Sequence, residues 1–228
     1  MDFSEEALAD LAGGSFEDYA ATFDEFPDLP EDFVPGRISE PRFFSFWRDV
    51  LRADEEILSI VRDGYRVPFV GGQDPPPSLE PNNKSALDRP EFLLNQLVKW
   101  ENSGCTSRVA EKPRIVLPIS VVYSNKWRGV VDASRQITPF VVKNKVFLEP
   151  LSSIGAAVRR GDWMSKQDLT AGYHHVMIHP EARTNFGVHF VHDDGTVSYW
   201  VWNVLFLGER NAVFLFTKIL KPHRRFLA

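Results

Sequence analysis

Hydrophobic positions beyond residue 38 recur first with helical spacing and later with strand spacing. Phe43, Trp47, Val50 and Leu51 fall on one helical face, with Ser39 as an N-cap ahead of Pro41 in the first turn. Asp54 restarts a helix through Ile57, Leu58 and Val61, and Gly64 is placed to end it. Residues 71–77 (GGQDPPP), running on through Pro81-Asn82-Asn83, predict an extended connector, because consecutive prolines lack amide donors and exclude helix. Leu93, Leu94, Leu97 and Val98 give a helix over Pro90–Asn102 its apolar face, with Gly104 beyond its end. From Arg114 the period becomes two. Strands are predicted over 114–123 and 127–132, joined by Ser124-Asn125-Lys126, and over 163–169. Residues 186–191 and 196–202 form a hairpin around His192-Asp193-Asp194-Gly195. A short helix over 152–160 and a last one over 211–220, closed by Pro222, complete an α+β order.

Charge divides the chain differently. Residues 1–36 hold eleven acids and no Lys or Arg, with Phe3, Leu8, Leu11, Phe16, Tyr19, Phe23, Phe26, Leu29 and Phe33 scattered among them. Repelling charges and dispersed apolar residues predict a disordered acidic leader over 1–38, a composition that also suits a docking segment. The net charge of −5 at first argues against a nucleic-acid partner. Without the leader, the 192 residues from Arg37 carry 26 bases against 20 acids, so the body is mildly basic. Cys105 is the single cysteine, which excludes an internal disulfide and predicts an intracellular, reducing setting, in cytoplasm or nucleus. The N-terminus lacks the basic start and apolar run of a secretory signal. The most apolar stretch, residues 199–207, is interrupted by Asn203 and too short to span a bilayer, so no membrane partner is expected.

The densest chemistry lies in residues 162–175, DWMSKQDLTAGYHH. A strand delivers Asp168 at its carboxyl end, where a carboxylate can meet a hard cation, and the amides of Thr170-Ala171-Gly172 can face phosphate oxygens. Taken alone, an Asp at a strand end is more often a turn former or helix cap. Lys126 and Arg128 read equally as solvated hairpin charges, and Tyr173 as core filler. Asp193-Asp194 sits in a hairpin-turn signature. His174, His175 and His179 suggest zinc, but no nearby acid or cysteine completes a ligand set.

In context these residues resemble a known family. Asp168-Leu169-x-x-Gly172-Tyr173-His174, followed by His179-Pro180 and Phe186-Gly187, resembles the first palm motif of reverse transcriptases. Upstream, Asn125-Lys126-Trp127-Arg128-Gly129-Val130-Val131-Asp132 is similar to that family's basic fingers hairpin. Downstream, residues 203–218 (NVLFLGERNAVFLFTK) resemble the segment that usually reads Pro-Phe-Gly, a short gap, Ala-Pro, then Phe-Thr-Lys. Residues 47–69 with Asn82-Asn83-Lys84-Ser85-Ala86-Leu87 resemble DIRS-like retroelements, which carry a tyrosine recombinase.

The resemblance implies the fingers and partial palm of a right-hand polymerase over residues 90–228, after a helical extension and Pro-rich linker over 39–89. It implies RNA-directed DNA polymerisation, a nucleotidyl transfer using Mg²⁺, with template-primer and deoxynucleoside triphosphate as partners. Asp168 would be catalytic and a metal ligand, and the Leu169 carbonyl a second ligand. Lys126 and Arg128 would hold the triphosphate, and Thr170, Ala171 and Gly172 would offer backbone donors. Tyr173 would lie under the deoxyribose, with Leu207 and Gly208 lining the base-pair pocket. Phe206-Leu207-Gly208 stands where Pro-Phe-Gly is usual, and Val213 replaces the proline after Ala212. The family's aromatic-x-Asp-Asp does not occur in these 228 residues, so the sequence predicts a fragment, inactive alone, that self-associates through an open palm edge. The competing expectation is a non-catalytic, element-derived module that binds nucleic acid or protein.

Overall fold

The computed structural model describes residues 33–148, 152, 158–163 and 169–227. The expected leader up to residue 32, most of the expected helix over 152–160, and the strand carrying Asp168 lie outside those residues.

Helix α1 (Pro41–Ser45) begins with its proline, but Glu40 rather than Ser39 occupies the N-cap, with no side-chain cap. From Phe46 the chain widens into a π turn, Leu51 N–H donating to the Phe46 carbonyl at 2.9 Å, and Trp47 and Leu51 enter the core. Asp54 caps α2 (Glu55–Asp63) as its sequence predicts, Oδ1 accepting from Ile57 N–H at 2.9 Å. Its apolar face buries Ile57, Leu58, Ile60 and Val61. Gly64 ends the helix at φ +90°, where a Cβ would lie 2.8 Å from His179 N. That close approach allows Tyr65 N–H to donate to Met177 O at 2.7 Å and His179 N–H to Tyr65 O at 3.0 Å.

The connector expected to be extended from Gly71 begins instead with a 3₁₀ turn over Val70–Gly72 and becomes extended at Gln73, and Ser78–Leu79 within it forms strand β1. The one-turn helix α3 (Lys84–Leu87) follows, and α4 (Pro90–Asn102) fills the predicted span, burying Leu93, Leu97 and Trp100. Strand β2 (Thr106–Val109) has no counterpart in the sequence reading, because its four residues are too few and too polar to display a period. The strand expected over 114–123 is two strands: β3 (Ile115–Val116) and β4 (Ile119–Tyr123). They part at Leu117-Pro118, where proline lacks the amide needed to continue a ladder. β4 pairs antiparallel with β5 (Trp127–Val131), Tyr123 opposite Trp127. The predicted second hairpin forms from β6 (Gly187–Val191) and β7 (Val197–Trp202). Its turn uses Asp194 Oδ1, which accepts from Thr196 N–H at 2.9 Å, and Gly195 at φ +81°.

Among the described residues the chain is therefore a mixed α+β structure. One sheet runs β1–β3–β6–β7–β2, parallel across β1–β3–β6 and antiparallel beyond, and β4–β5 stands apart from it. Helix α5 (Ala212–Leu227) does not close at Pro222 but continues through it. The proline lies on the buried stripe of Ala212, Leu215 and Ile219, so burial of its ring offsets the lost hydrogen bond. Buried side chains from Trp47 to Ile219 form one apolar core, with Trp100, Trp202 and Phe206 in successive ring contact at 4.9 and 5.0 Å.

The hairpin is joined to the large sheet by side chains. Asn82, 5% exposed, accepts from Ile119 N–H at 2.9 Å through Oδ1 and donates through Nδ2 to the His189 carbonyl at 3.0 Å. Asn83 N–H donates to Ile119 O at 3.0 Å, and Ser85 Oγ accepts from Val121 N–H at 3.0 Å. Asn82→Ala removes the acceptor for a fully buried amide. A loss of about 2–3 kcal/mol in urea unfolding is expected, and less than roughly 0.5 kcal/mol would show that Asn82 does not carry this joint.

Candidate functional site

The 169–175 turn is built by backbone rather than by side chains. Ala171 adopts φ +50°, a left-handed conformation uncommon outside glycine, and opens the 3₁₀ turn Gly172–His175. His174 N–H donates back to Ala171 O at 2.8 Å. Gly172 lies against α5, where an added Cβ would stand 2.5 Å from Phe216 Cζ. Tyr173 is half-buried with its ring edge-on to Phe216 at 5.4 Å, and burial pushes its phenol pKa up. Leu169 is exposed and Thr170 half-buried.

His174 and His175 both face the Phe33 ring, at 6.3 and 5.2 Å, while His179 caps its own turn. His174 packs near Trp202 at 5.8 Å, with Nδ1 3.7 Å from Cys105 Sγ. Burial lowers its pKa to about 4 and raises that of the Cys105 thiol, so the pair is neutral and the sulfur is not an activated nucleophile. The His175 ring nitrogen Nε2 lies 3.2 Å from Thr170 O, and His179 Nδ1 accepts from Glu181 N–H at 3.3 Å. Residues from Phe33 onward also join this turn, earlier than the expected start of order near Ser39. The Phe33 ring lies 5.2 Å from His175, and Gly36 N–H donates to His174 O at 2.7 Å.

On the β4–β5 hairpin, Arg128 donates to Ser124 Oγ at 2.6 Å and to Asn125 Oδ1 at 3.1 Å, while Lys126 sits in the turn. Gly208, at φ +113°, meets the foot of this hairpin, where a Cβ on it would lie 2.6 Å from Val131 O, and Leu207 before it is half-buried. One segment thus touches the hairpin through Gly208 and the 172–173 turn through Phe216. Asp168 lies outside the described residues. Of the carboxylates that could have joined it, Asp132 Oδ1 accepts from Ser134 N–H at 2.9 Å and Asp162 Oδ2 from Arg159 N–H at 2.8 Å, each within its own turn. No group of three or more His, Cys, Asp or Glu is placed to hold a metal among the described residues. The donor set for Mg²⁺ is not assembled there.

A polar cluster that the sequence reading missed lies in the same segment. Glu209 is 4% exposed; its Oε2 accepts from Asn211 N–H at 2.8 Å, and its Oε1 is buried without a hydrogen-bond partner. Asn211 donates to Val142 O at 2.9 Å, accepts from Asn144 N–H at 3.3 Å, and shares a hydrogen bond with Tyr65. The one available signal was a charged residue inside an apolar run. Burial raises the Glu209 pKa to about 7, opposed by the Asn211 amide and by Arg210.

No family model matches the chain, and no curated protein matches it. No helix among the described residues is long and apolar enough to cross a membrane.

A raised carboxyl pKa gives stability that is complete below the ordinary value of 4.5 and lost as pH rises to about 7. Glu209→Gln should therefore match the parent chain in acid and exceed its stability by about 3 kcal/mol above neutrality, from 1.36 kcal/mol per pKa unit. Urea titrations across that range measure the difference, and a constant offset would exclude a buried, protonated Glu209.

Proposed function

We propose that the chain is part of a retroelement reverse transcriptase, most similar to the DIRS-like group. In this reading its β4–β5 hairpin and 170–173 turn form the nucleotide-binding side of a fingers and partial-palm unit. The observation that carries the reading is the reach of residues 207–216, which contact the foot of the basic hairpin and the back of the turn. All three segments belong to motifs that resemble the family in the family's own order.

Lys126 and Arg128 neutralise triphosphate charge, with Arg128 held by two neutral oxygens that leave its charge available. Thr170, Ala171 and Gly172 present amides. Tyr173, braced by Phe216, supports the sugar and disfavours a 2′-hydroxyl by steric conflict. Leu207 and Gly208 border the base pair. Mg²⁺ would take Asp168 and the Leu169 carbonyl and would supply charge neutralisation for nucleotidyl transfer. Because the described residues add no second carboxylate, the function proposed for them is binding of nucleotide and template-primer.

Two measurements test this. A fluorescent deoxynucleoside triphosphate should bind in the presence of template-primer, and Lys126→Ala with Arg128→Ala should weaken it at least about tenfold, two charge-assisted contacts being lost. Tyr173→Ala should narrow the preference for deoxy- over ribonucleotide. Binding unchanged by either substitution would overturn the reading; a non-catalytic module would keep oligonucleotide affinity and show no such discrimination. Primer extension by these 228 residues with Mg²⁺ should not exceed a no-enzyme control, since they contain no aromatic-x-Asp-Asp.

A further inference from the structure

We infer that the tip of the β4–β5 hairpin is a base-stacking platform for single-stranded nucleic acid, formed by Tyr123, Trp127 and Arg89. The platform uses residues outside the nucleotide-binding set and goes beyond the polymerase reading. Tyr123 and Trp127 are directly opposed in register, their rings 4.8 Å apart. They remain 62% and 41% exposed. Arg89 lays its guanidinium over Trp127, 4.0 Å from the ring centroid. Cation, indole and phenol thus follow one another, the two rings inclined at 56°, and the end member, Tyr123, is also the most exposed.

The rest of that hairpin face is buried. Ile119 and Val131 are in the core, and Gly129 approaches Gln96 and Trp100 of α4 so closely that a Cβ would meet them at 3.1 and 3.2 Å. The aromatic pair is the part of the face left uncovered. Cross-strand aromatic pairs do stabilise hairpins, but such a pair needs no cation stacked beyond it and no exposed ring at its end.

Charge selects the occupant. Residues 119–131 contain Lys126 and Arg128 and no acid. The partners that fix Arg89 and Arg128 are a carbonyl, a hydroxyl and an amide oxygen, none of them a carboxylate. The neighbouring Asp88 is already paired with Lys84 at 2.9 Å. Exposed rings beside Arg89 and Arg128, both held by neutral oxygens, match a polyanion with accessible base faces, which is single-stranded RNA or DNA. In a duplex those faces are stacked on one another.

The test is fluorescence anisotropy of a labelled twelve-nucleotide strand with the full chain. The expected results are binding to the single strand, duplex binding at least about tenfold weaker, and a loss of about fivefold or more in Tyr123→Leu, which retains an apolar contact with Trp127 but removes the stacking plane. An abasic strand of equal charge should lose affinity for the parent chain to a similar degree. Circular dichroism of Tyr123→Leu, a substitution at an exposed position, checks that the fold is intact. Equal affinity for duplex and single strand, equal affinity for the abasic strand, or no effect of Tyr123→Leu would each overturn the platform. So would self-association or protein capture through this tip without oligonucleotide binding. Nucleotide discrimination at Tyr173 is a separate readout, so the polymerase reading and the platform can fail independently.

Discussion

The joint made by Asn82 is the constraint on which the placement of the hairpin depends. A two-stranded hairpin is marginal alone, and β4 has β5 on only one side. The missing neighbour is replaced by a segment that is not a strand: Asn82, Asn83 and Ser85 bond successive backbone groups of β4, and Asn82 reaches on to β6. An amide side chain suits this task, since it both donates and accepts and so satisfies groups on two separate elements at once. Because the preceding residues are rich in proline, the strap arrives extended, already in β1 beside β3. The hairpin that carries Lys126, Arg128 and the aromatic tip is therefore oriented by residues some forty positions upstream.

Close backbone approach is the second constraint, and it explains why the candidate site contains so little side chain. Gly172 against Phe216 and Gly208 against Val131 O leave no room for a Cβ. Between these contacts lies Glu209, a buried carboxyl whose burial disfavours its charge. His174 has the opposite dependence: its lowered pKa makes it a source of instability as pH falls from 6.5 towards about 4, whereas Glu209 costs stability as pH rises. The two slopes partly cancel between pH 4.5 and 6.5, so a flat profile in the parent chain would conceal two perturbed groups.

What the sequence discloses follows the strength of local pattern. Pro90–Asn102 and the β6–β7 hairpin are legible because their periodicity is long and their ends carry proline, glycine or an Asp-Gly turn. β1 and β2 are illegible because two- and four-residue strands show no period and are held by partners far along the chain. The break at Pro118 is visible as a proline, but not its consequence, since only the tertiary structure sends β3 and β4 to different sheets. At the site, Lys126, Arg128, Gly172, Tyr173 and Gly208 are proposed on motif order alone. That order gives no sign of the Glu209–Asn211–Tyr65 cluster or of Cys105 against His174, pairs that depend on long-range packing.

Charge distribution gives the 170–175 turn and the β4–β5 hairpin different characters. Phe33 packs on His175 and Gly36 bonds to His174, so the chain from Phe33 onward is anchored on the 170–175 turn. His174 is held neutral by burial. Beside the turn, burial lowers the His175 pKa and the charge of Arg37 bears on it in the same direction, whereas on the hairpin Arg128 is held by the neutral oxygens of Ser124 and Asn125. In the proposed polymerase reading both regions would therefore contribute positive charge to an approaching polyanion, Arg37 at the turn and Arg128 on the hairpin.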